Sequence, residues 1–309
     1  MKYVFIKILI AVSIIIGAAT LTCCIKEIDS ADVFVVPEPV VNALFSEGSM
    51  LEIQISLSRS IIRASDAERE FIYPDNAIVR LFENTVELNC NSTFDRNLYI
   101  LSLLELKPEN SYMIEIELPE FTLLTAESTI PSLTKIDSIM VRRVFETDPE
   151  LNEIDQDILK GSVIFRDSQE QEYYMLQLEA YDYIYGNEIY DRKNDYFTSD
   201  DPVATDAGYQ PEDIRVLVFS DKLFKDNVCD ISFEIIDGLY SAGVKDSTVL
   251  VTKLYTLSEE LYRYLITFHG QYIADFSFMA EPVQVYSNIE NGLGIFAGYS
   301  LDSLAISIK

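Results

Sequence analysis

From about Val35 onward the apolar residues fall into short runs, several of them alternating, with turn residues between: VVNALFS, LEIQISLS, NAIVRLFE, LYILSLL, SYMIEIEL and STIPSL. In LEIQISLS, Leu51, Ile53, Ile55 and Leu57 alternate with Glu52, Gln54 and Ser56, the two-residue period of a strand with one buried face. Several such strands at short spacing predict an antiparallel sandwich over residues 35–132, of the immunoglobulin or fibronectin type III kind. LKPENSY places Leu106, Pro108 and Tyr112 at the spacing of a tyrosine corner, in which the hydroxyl bonds back to upstream backbone; a Pro-initiated turn with a buried tyrosine is the alternative.

Pro131 in TIPSLTKIDSI interrupts strand pairing, so a boundary is expected near Ser132 and a new strand near Lys135. Beyond it DSIMVRRVFE, GSVIFRD, YYMLQLEAYDYI, IRVLVFSD and DISFEII are again rich in β-branched and aromatic residues, so residues 133–309 are expected to form a second β-rich domain. One helix is predicted there, over residues 257–272. Thr256 and Glu259 have capping-box spacing, and Leu261, Leu265, Phe268 and Tyr272 recur on one face, which would lay an apolar stripe on a sheet. Two acidic stretches, ETDPELNEIDQD and residues 179–213, read as surface insertions.

Composition narrows the partners. Lys and Arg total 23 against 51 Asp and Glu, a formal charge of -28, which repels nucleic-acid phosphates and anionic lipid surfaces. A hydrophobic content of 49% with 19 Tyr and 17 Phe describes a folded chain rather than an acidic disordered one. The only membrane attachment expected is at the N-terminus. Lys2 and Lys7 precede the apolar stretch ILIAVSIIIGAATLT, which ends at LTCC, so residues 1–23 read as a lipoprotein signal peptide and Cys24 as the lipidated residue. Modification at Cys23, or a plain transmembrane anchor, are the alternatives. Residues 24–34, with Lys26, Glu27, Asp29 and Asp32, read as a solvated tether. Cys90 and Cys229 then remain, either as a disulfide or as two separate thiols.

No catalytic constellation emerges. His269 is the only histidine and lies beside the helix stripe, G-x-S-x-G is absent, and nothing singles out two carboxylates as a hydrolytic pair, so no catalytic residue is assigned. The acidic stretches lack EF-hand order, and neither a metal nor a cofactor is expected. Tyr181, Tyr183, Tyr185 and Tyr190 are the candidates for a ligand or partner surface, because tyrosine offers a broad ring at low conformational cost and keeps a hydroxyl for hydrogen bonding. Near the C-terminus NGLGIFAG follows VQVYS without G-x-G-x-x-G spacing or a phosphate-binding Lys. Asn291 and Gly292 signal a tight turn, and Gly294 and Gly298 a bulge or a close backbone approach.

The segment EPVQVYSNIENGLGIFAGYS, residues 281–300, resembles the C-terminal signature of a Bacteroidota lipoprotein family known only as domain of unknown function forty-two forty-nine. The lipobox at Cys24, VVNALFS, NAIVRLFE, LKPENSY, FSDKLF and LYRYL follow that family's order. The resemblance implies a cell-envelope lipoprotein, often encoded beside TonB-dependent outer-membrane transporters, with no activity and no catalytic residues to carry over. The expectation is therefore a non-catalytic accessory protein that binds a ligand or a TonB-dependent receptor and is anchored in the outer membrane, facing the cell surface or, alternatively, the periplasm. A structural or adhesive envelope lipoprotein and an unrecognised carboxylate hydrolase are the alternatives.

Overall fold

Alternating patterns such as LEIQISL become strands whose inward residues are fully enclosed: Leu51, Ile53 and Ile55 are buried while Glu52 is exposed. The structure is a computed structural model, described over residues 36–48, 50–59, 71–102, 105–147, 155–167, 171–184, 187–194, 196–206, 215–224, 228–236, 247–276 and 281–308. The elements below all belong to one compact unit, Glu38–Ser58 with Phe71–Lys309. Its fold is mainly β, with several sheets and one main helix.

The first strands are β1 (Pro39–Phe45), β2 (Leu51–Leu57), β3 (Ile78–Glu83), β4 (Val86–Glu87), β5 (Asn91–Asp95), β6 (Leu98–Ser102), β7 (Ser111–Glu117) and β8 (Leu124–Thr129). β1, β2, β6 and β5 lie side by side, as do β4, β3, β7 and β8, and the two groups enclose one core. Phe45, Leu81, Leu101, Tyr112 and Ile114 meet there, with Phe45 edge-on to Tyr112 at 5.6 Å between ring centroids. Each such fully buried large side chain contributes about 1.5–3 kcal/mol of transfer free energy. Tyr112 makes the expected corner: its hydroxyl accepts the Lys107 N–H at 2.6 Å and donates to Glu83 at 2.8 Å. STIPSL, by contrast, is mostly not strand. β8 lies earlier, and the backbone leaves the ladder after Thr129, where Pro131 has no N–H to donate.

The second group comprises β9 (Ile136–Thr147), β10 (Asp155–Arg166), β11 (Tyr173–Ile184), β12 (Asn187–Asn194), β13 (Val216–Ser220), β14 (Val228–Ile236), β15 (Ser247–Leu257) and β16 (Leu293–Ile308), with helices α1 (Pro202–Asp206) and α2 (Glu259–Phe276). β14, β10 and β9 form a three-stranded sheet. Across a core that includes Phe165, Tyr174, Leu176, Phe233, Leu250 and Leu254, it faces β11, β15 and β16. Residues 179–184 are therefore not part of an insertion. They continue β11, which pairs with β15 from Tyr173 to Tyr183, with Ala180 and Asp182 turned inward. The acidic composition misleads here because Asp182 is satisfied internally, by the Thr248 hydroxyl at 2.7 Å.

β16 joins the two groups. Its first part, Leu293 to Gly298, pairs parallel with β1, and its second, Tyr299 to Ile308, pairs antiparallel with β15, so one nine-stranded sheet contains strands of both. Phe296 enters the sandwich core, and Leu304, Ile306 and Ile308 the second core. Between them Ser300 donates to the Pro131 carbonyl at 2.5 Å, and Asp302 accepts the Ile136 N–H at 2.8 Å. The Thr134 N–H reaches the Thr256 hydroxyl at 3.3 Å. Polar side chains thus fasten the crossing backbone where the apolar cores leave off.

The helix starts later than its sequence spacing suggests. Thr256 is still in β15, and Ser258 caps α2 by accepting the Leu261 N–H on its hydroxyl at 3.3 Å. Leu261 is buried and Leu265 half-buried against Ile295, Ala297 and Leu257, but Phe268 and Tyr272 stay 52% and 56% exposed. Tyr262 instead stacks on Tyr173 at 4.4 Å, so the packed face is rotated away from the predicted stripe.

A Cβ on Gly294, whose φ is +110°, would lie 2.0 Å from the Val41 carbonyl oxygen. Gly294→Val should therefore lower stability by roughly 3 kcal/mol or more. Gly48→Ala is the control: it has φ +64° with open space around it, and should cost only about 1 kcal/mol. Thermal unfolding followed by circular dichroism measures both, and equal losses would show that backbone crowding at the seam is not the cause.

Candidate functional site

The three-stranded sheet turns one face to the core and the other outward. In antiparallel register, Arg142 lies beside Lys160 and Lys160 beside Glu234, while Met140 lies beside Ser162 and Ser162 beside Ser232. Thr198 extends these rows by one strand, exchanging backbone hydrogen bonds with Glu234 at 2.7 and 2.9 Å. Two small serines at the centre leave the surface hollow, and the result is an open trough of about 570 Å³ with Asp200 also in its lining. Its floor is close-packed: a Cβ on Gly161 would strike the Met140 carbonyl at 2.3 Å and the Phe233 ring at 2.8 Å. Lys160 and Glu234 form an ion pair of 3.0 Å at one side. Hydroxyls, carboxylates, a guanidinium and an ammonium therefore line one concavity, an arrangement suited to holding a polar ligand through several hydrogen bonds.

The tyrosine candidates do not line this trough. Tyr181 and Tyr183 lie on the opposite side of the other sheet, both half-buried on β11. The Tyr181 hydroxyl donates to Glu179 at 2.7 Å, and Glu179, itself only 3% exposed, also receives Lys253 at 2.8 Å and Gln177 at 3.0 Å. Tyr181 thus secures an ion pair whose carboxylate is buried and whose lysine is half-buried. The Tyr190 backbone belongs to β12, its side chain lies outside what is described, and Tyr185 and Cys24 lie outside the described residues altogether.

The C-terminal glycines sit in a backbone seam. Asn291 takes the left-handed conformation with φ 60° and its amide donates to the Leu123 carbonyl at 3.0 Å. Gly292 would bring a Cβ within 2.9 Å of the Pro39 carbonyl, and Gly298 within 2.2 Å of that of Thr129. Beyond the glycines, Asn288 is the residue that spacing alone did not reveal. Its carboxamide accepts the Phe296 N–H at 3.0 Å and donates to the Phe296 carbonyl at 2.7 Å, as a neighbouring strand would, and also reaches the Glu127 carbonyl at 3.2 Å. The Gly298 N–H continues to Ser128 at 3.3 Å, and Ser128 donates to Glu260 of α2 at 2.9 Å. A side chain that satisfies both backbone groups of one residue is not visible as a period, although the SNIENG run marked its location.

A third polar group lies at the end of the second core. The Tyr174 hydroxyl stands 2.5 Å from both Asp167 and Glu172, and the Glu172 N–H donates to Asp221 at 3.0 Å. One phenolic proton cannot serve two carboxylates, so the arrangement calls for a second proton on one of them. Burial, reinforced by the charges of Asp221 and Glu172 against the opposing Tyr174 hydrogen bond, pushes the Asp167 carboxyl up to about 6. Neither carboxylate lines the trough. Cys229, buried beside this group, has its thiol pushed up by burial; Cys229 and Cys90 are both free. Among the described residues no group of three acidic, histidine or cysteine side chains is placed to hold a metal ion.

The family model described as Domain of unknown function (DUF4249) matches residues 27–304, and the chain belongs to that family. No curated protein matches it.

Asn288→Ala should cost about 1–3 kcal/mol by orphaning backbone groups of Phe296, and Asn288→Asp a comparable amount because a carboxylate cannot donate to the two carbonyls. Denaturant titration reads both, and a neutral Asn288→Ala would remove the strand-mimic role. The raised Asp167 pKa means that the folded state binds a proton the unfolded state releases. Its stabilisation is complete below the unfolded value of 3.8 and is lost as pH rises through about 6. Asp167→Asn should flatten the stability profile across that window, and an unchanged slope would assign it to other groups.

Proposed function

We propose that the protein is a non-catalytic accessory lipoprotein of the outer membrane, held by a lipid on Cys24, that docks a polar ligand or a TonB-dependent transporter. The observation that carries the binding role is the trough across β9, β10, β14 and Thr198, where side chains of both charges and four hydroxyl residues line one hollow of about 570 Å³. Such a surface gains affinity by exchanging water for several fixed hydrogen bonds, and its shallow strand-built floor leaves room for an extended or branched ligand. Glu234 is engaged by Lys160, which gives it a positioning role and leaves Arg142 and Asp200 to meet the ligand.

Support for the anchor comes from the sequence LTCC after an apolar stretch, with charged residues Lys26, Glu27, Asp29 and Asp32 spacing the fold from the lipid. The strong negative charge would keep the folded unit off anionic headgroups.

Mass spectrometry of protein from native membranes should find an acylated N-terminal Cys24, and Cys24→Ala should move the protein to the soluble fraction. Gentle detergent extraction should recover a TonB-dependent receptor with it. An intact, unacylated amino terminus would overturn the anchor, and the repeated absence of any transporter would overturn that partner while leaving the ligand role to be read by binding assays.

A further inference from the structure

β9 ends its sheet. It pairs with β10 along its length, and on its other side no strand among the described residues pairs with it. An open edge of this length presents a row of unpaired N–H and C=O groups, which proteins ordinarily blunt with proline, bulges, brevity or charged side chains, and of these β9 relies on Arg142 and Arg143. β9 has no proline, its twelve residues are long for an edge, and the one register shift in its ladder falls near Ile136, leaving Ile139 to Thr147 regular. Both faces beside this edge offer something to a newcomer. Outward, Arg142 is exposed, and it makes no ion pair among the described residues while its neighbour Lys160 is held by Glu234. On the core side Ile139 and Val141 are only partly buried, and Phe145 is 67% exposed.

We propose that β9 is a strand-addition site: an extended segment of a partner protein, carrying carboxylates on one face and apolar residues on the other, pairs with its free edge beside Arg142. Main-chain hydrogen bonds supply the affinity, as in other cases of strand addition, and alternate side chains supply the selectivity. Between Ser138 and Phe145 the only charges are Arg142 and Arg143, and Arg143 turns inward to the Thr248 hydroxyl. A second copy of this strand would bring like charges together across the new pair, which is unfavourable, whereas a carboxylate opposite Arg142 is favoured. The long-range repulsion from a chain of charge -28 is screened beyond about 8 Å at physiological salt, so the nearest groups decide. The inference rests on the docking role proposed above and specifies the chemistry of a protein partner for it.

The test uses the full chain purified in detergent and synthetic peptides, without membranes or a transporter, so that its failure is distinguishable from failure of the copurification. A peptide of about ten residues, the length of a long strand, alternates Val and Thr and carries two central Glu residues; a second peptide has Lys at those positions. Fluorescence anisotropy should show saturable binding of the Glu peptide, and hydrogen exchange should slow in fragments covering residues 137–146. Arg142→Glu should weaken the Glu peptide by about tenfold and favour the Lys peptide instead. Arg142→Gln, milder and checked by its melting curve, should weaken the Glu peptide without favouring the Lys peptide. Absence of saturable binding, protection confined to another edge, or equal affinity for both peptides in the native chain would overturn the proposal. So would concentration-dependent dimers in sedimentation that Arg142→Glu strengthens, because the edge would then be meeting its own copy.

Discussion

Strands from opposite ends of the chain, β1 and β16, run parallel at hydrogen-bonding distance, and that closeness requires that no side chain stand between the backbones at Gly294. The ladder carries the nine-stranded sheet from one core to the other. On its far side no strand among the described residues pairs with β16 before Tyr299, and there Asn288, Ser128 and the Ser258 N–H take the backbone groups of Phe296 and Gly298. The seam is therefore closed on one side by main chain and on the other largely by side chains chosen to imitate it.

The same economy recurs at the crossing of residues 130–136. Ser300, Asp302 and Thr256 each capture one backbone group of that segment. Apolar packing is directionless, so it fills the two cores without fixing how the segment between them lies. Hydrogen bonds have direction, and here they set the path. The trough and the free edge of β9 belong to the sheet that begins immediately after this crossing, so their position relative to β16 depends on it.

Much of the architecture was legible from the sequence. Clean alternation located β2 and β7, the YYMLQLEAYDYI run coincides with β11, and the spacing of Leu106, Pro108 and Tyr112 announced the buried hydroxyl that accepts the Lys107 N–H. What escaped did so for physical reasons. β5 is exposed throughout and so has no inward period to read, and β15 alternates Leu with Thr at buried positions, where the Thr248 and Thr256 hydroxyls meet partners distant in sequence. The helix start was misplaced because Thr256 suits a cap chemically but is retained by its ladder with β16. The trough is formed from residues 140, 142, 160, 162, 198, 200, 232 and 234, which only strand register brings together. No local motif could have announced it.

The pairing of β1 with β16 also dictates an order of events during synthesis. β1 is the earliest of the described strands to be synthesised and its parallel neighbour β16 the latest of them, and Ile289 and Phe296 of the sandwich core come with that late segment. The sandwich cannot close vectorially as it emerges; its apolar faces must wait for the complete chain, at the entropic expense of a loop spanning almost the whole sequence. Closure of the sandwich therefore comes late, and removing β16 would take away the keystone of the N-terminal half.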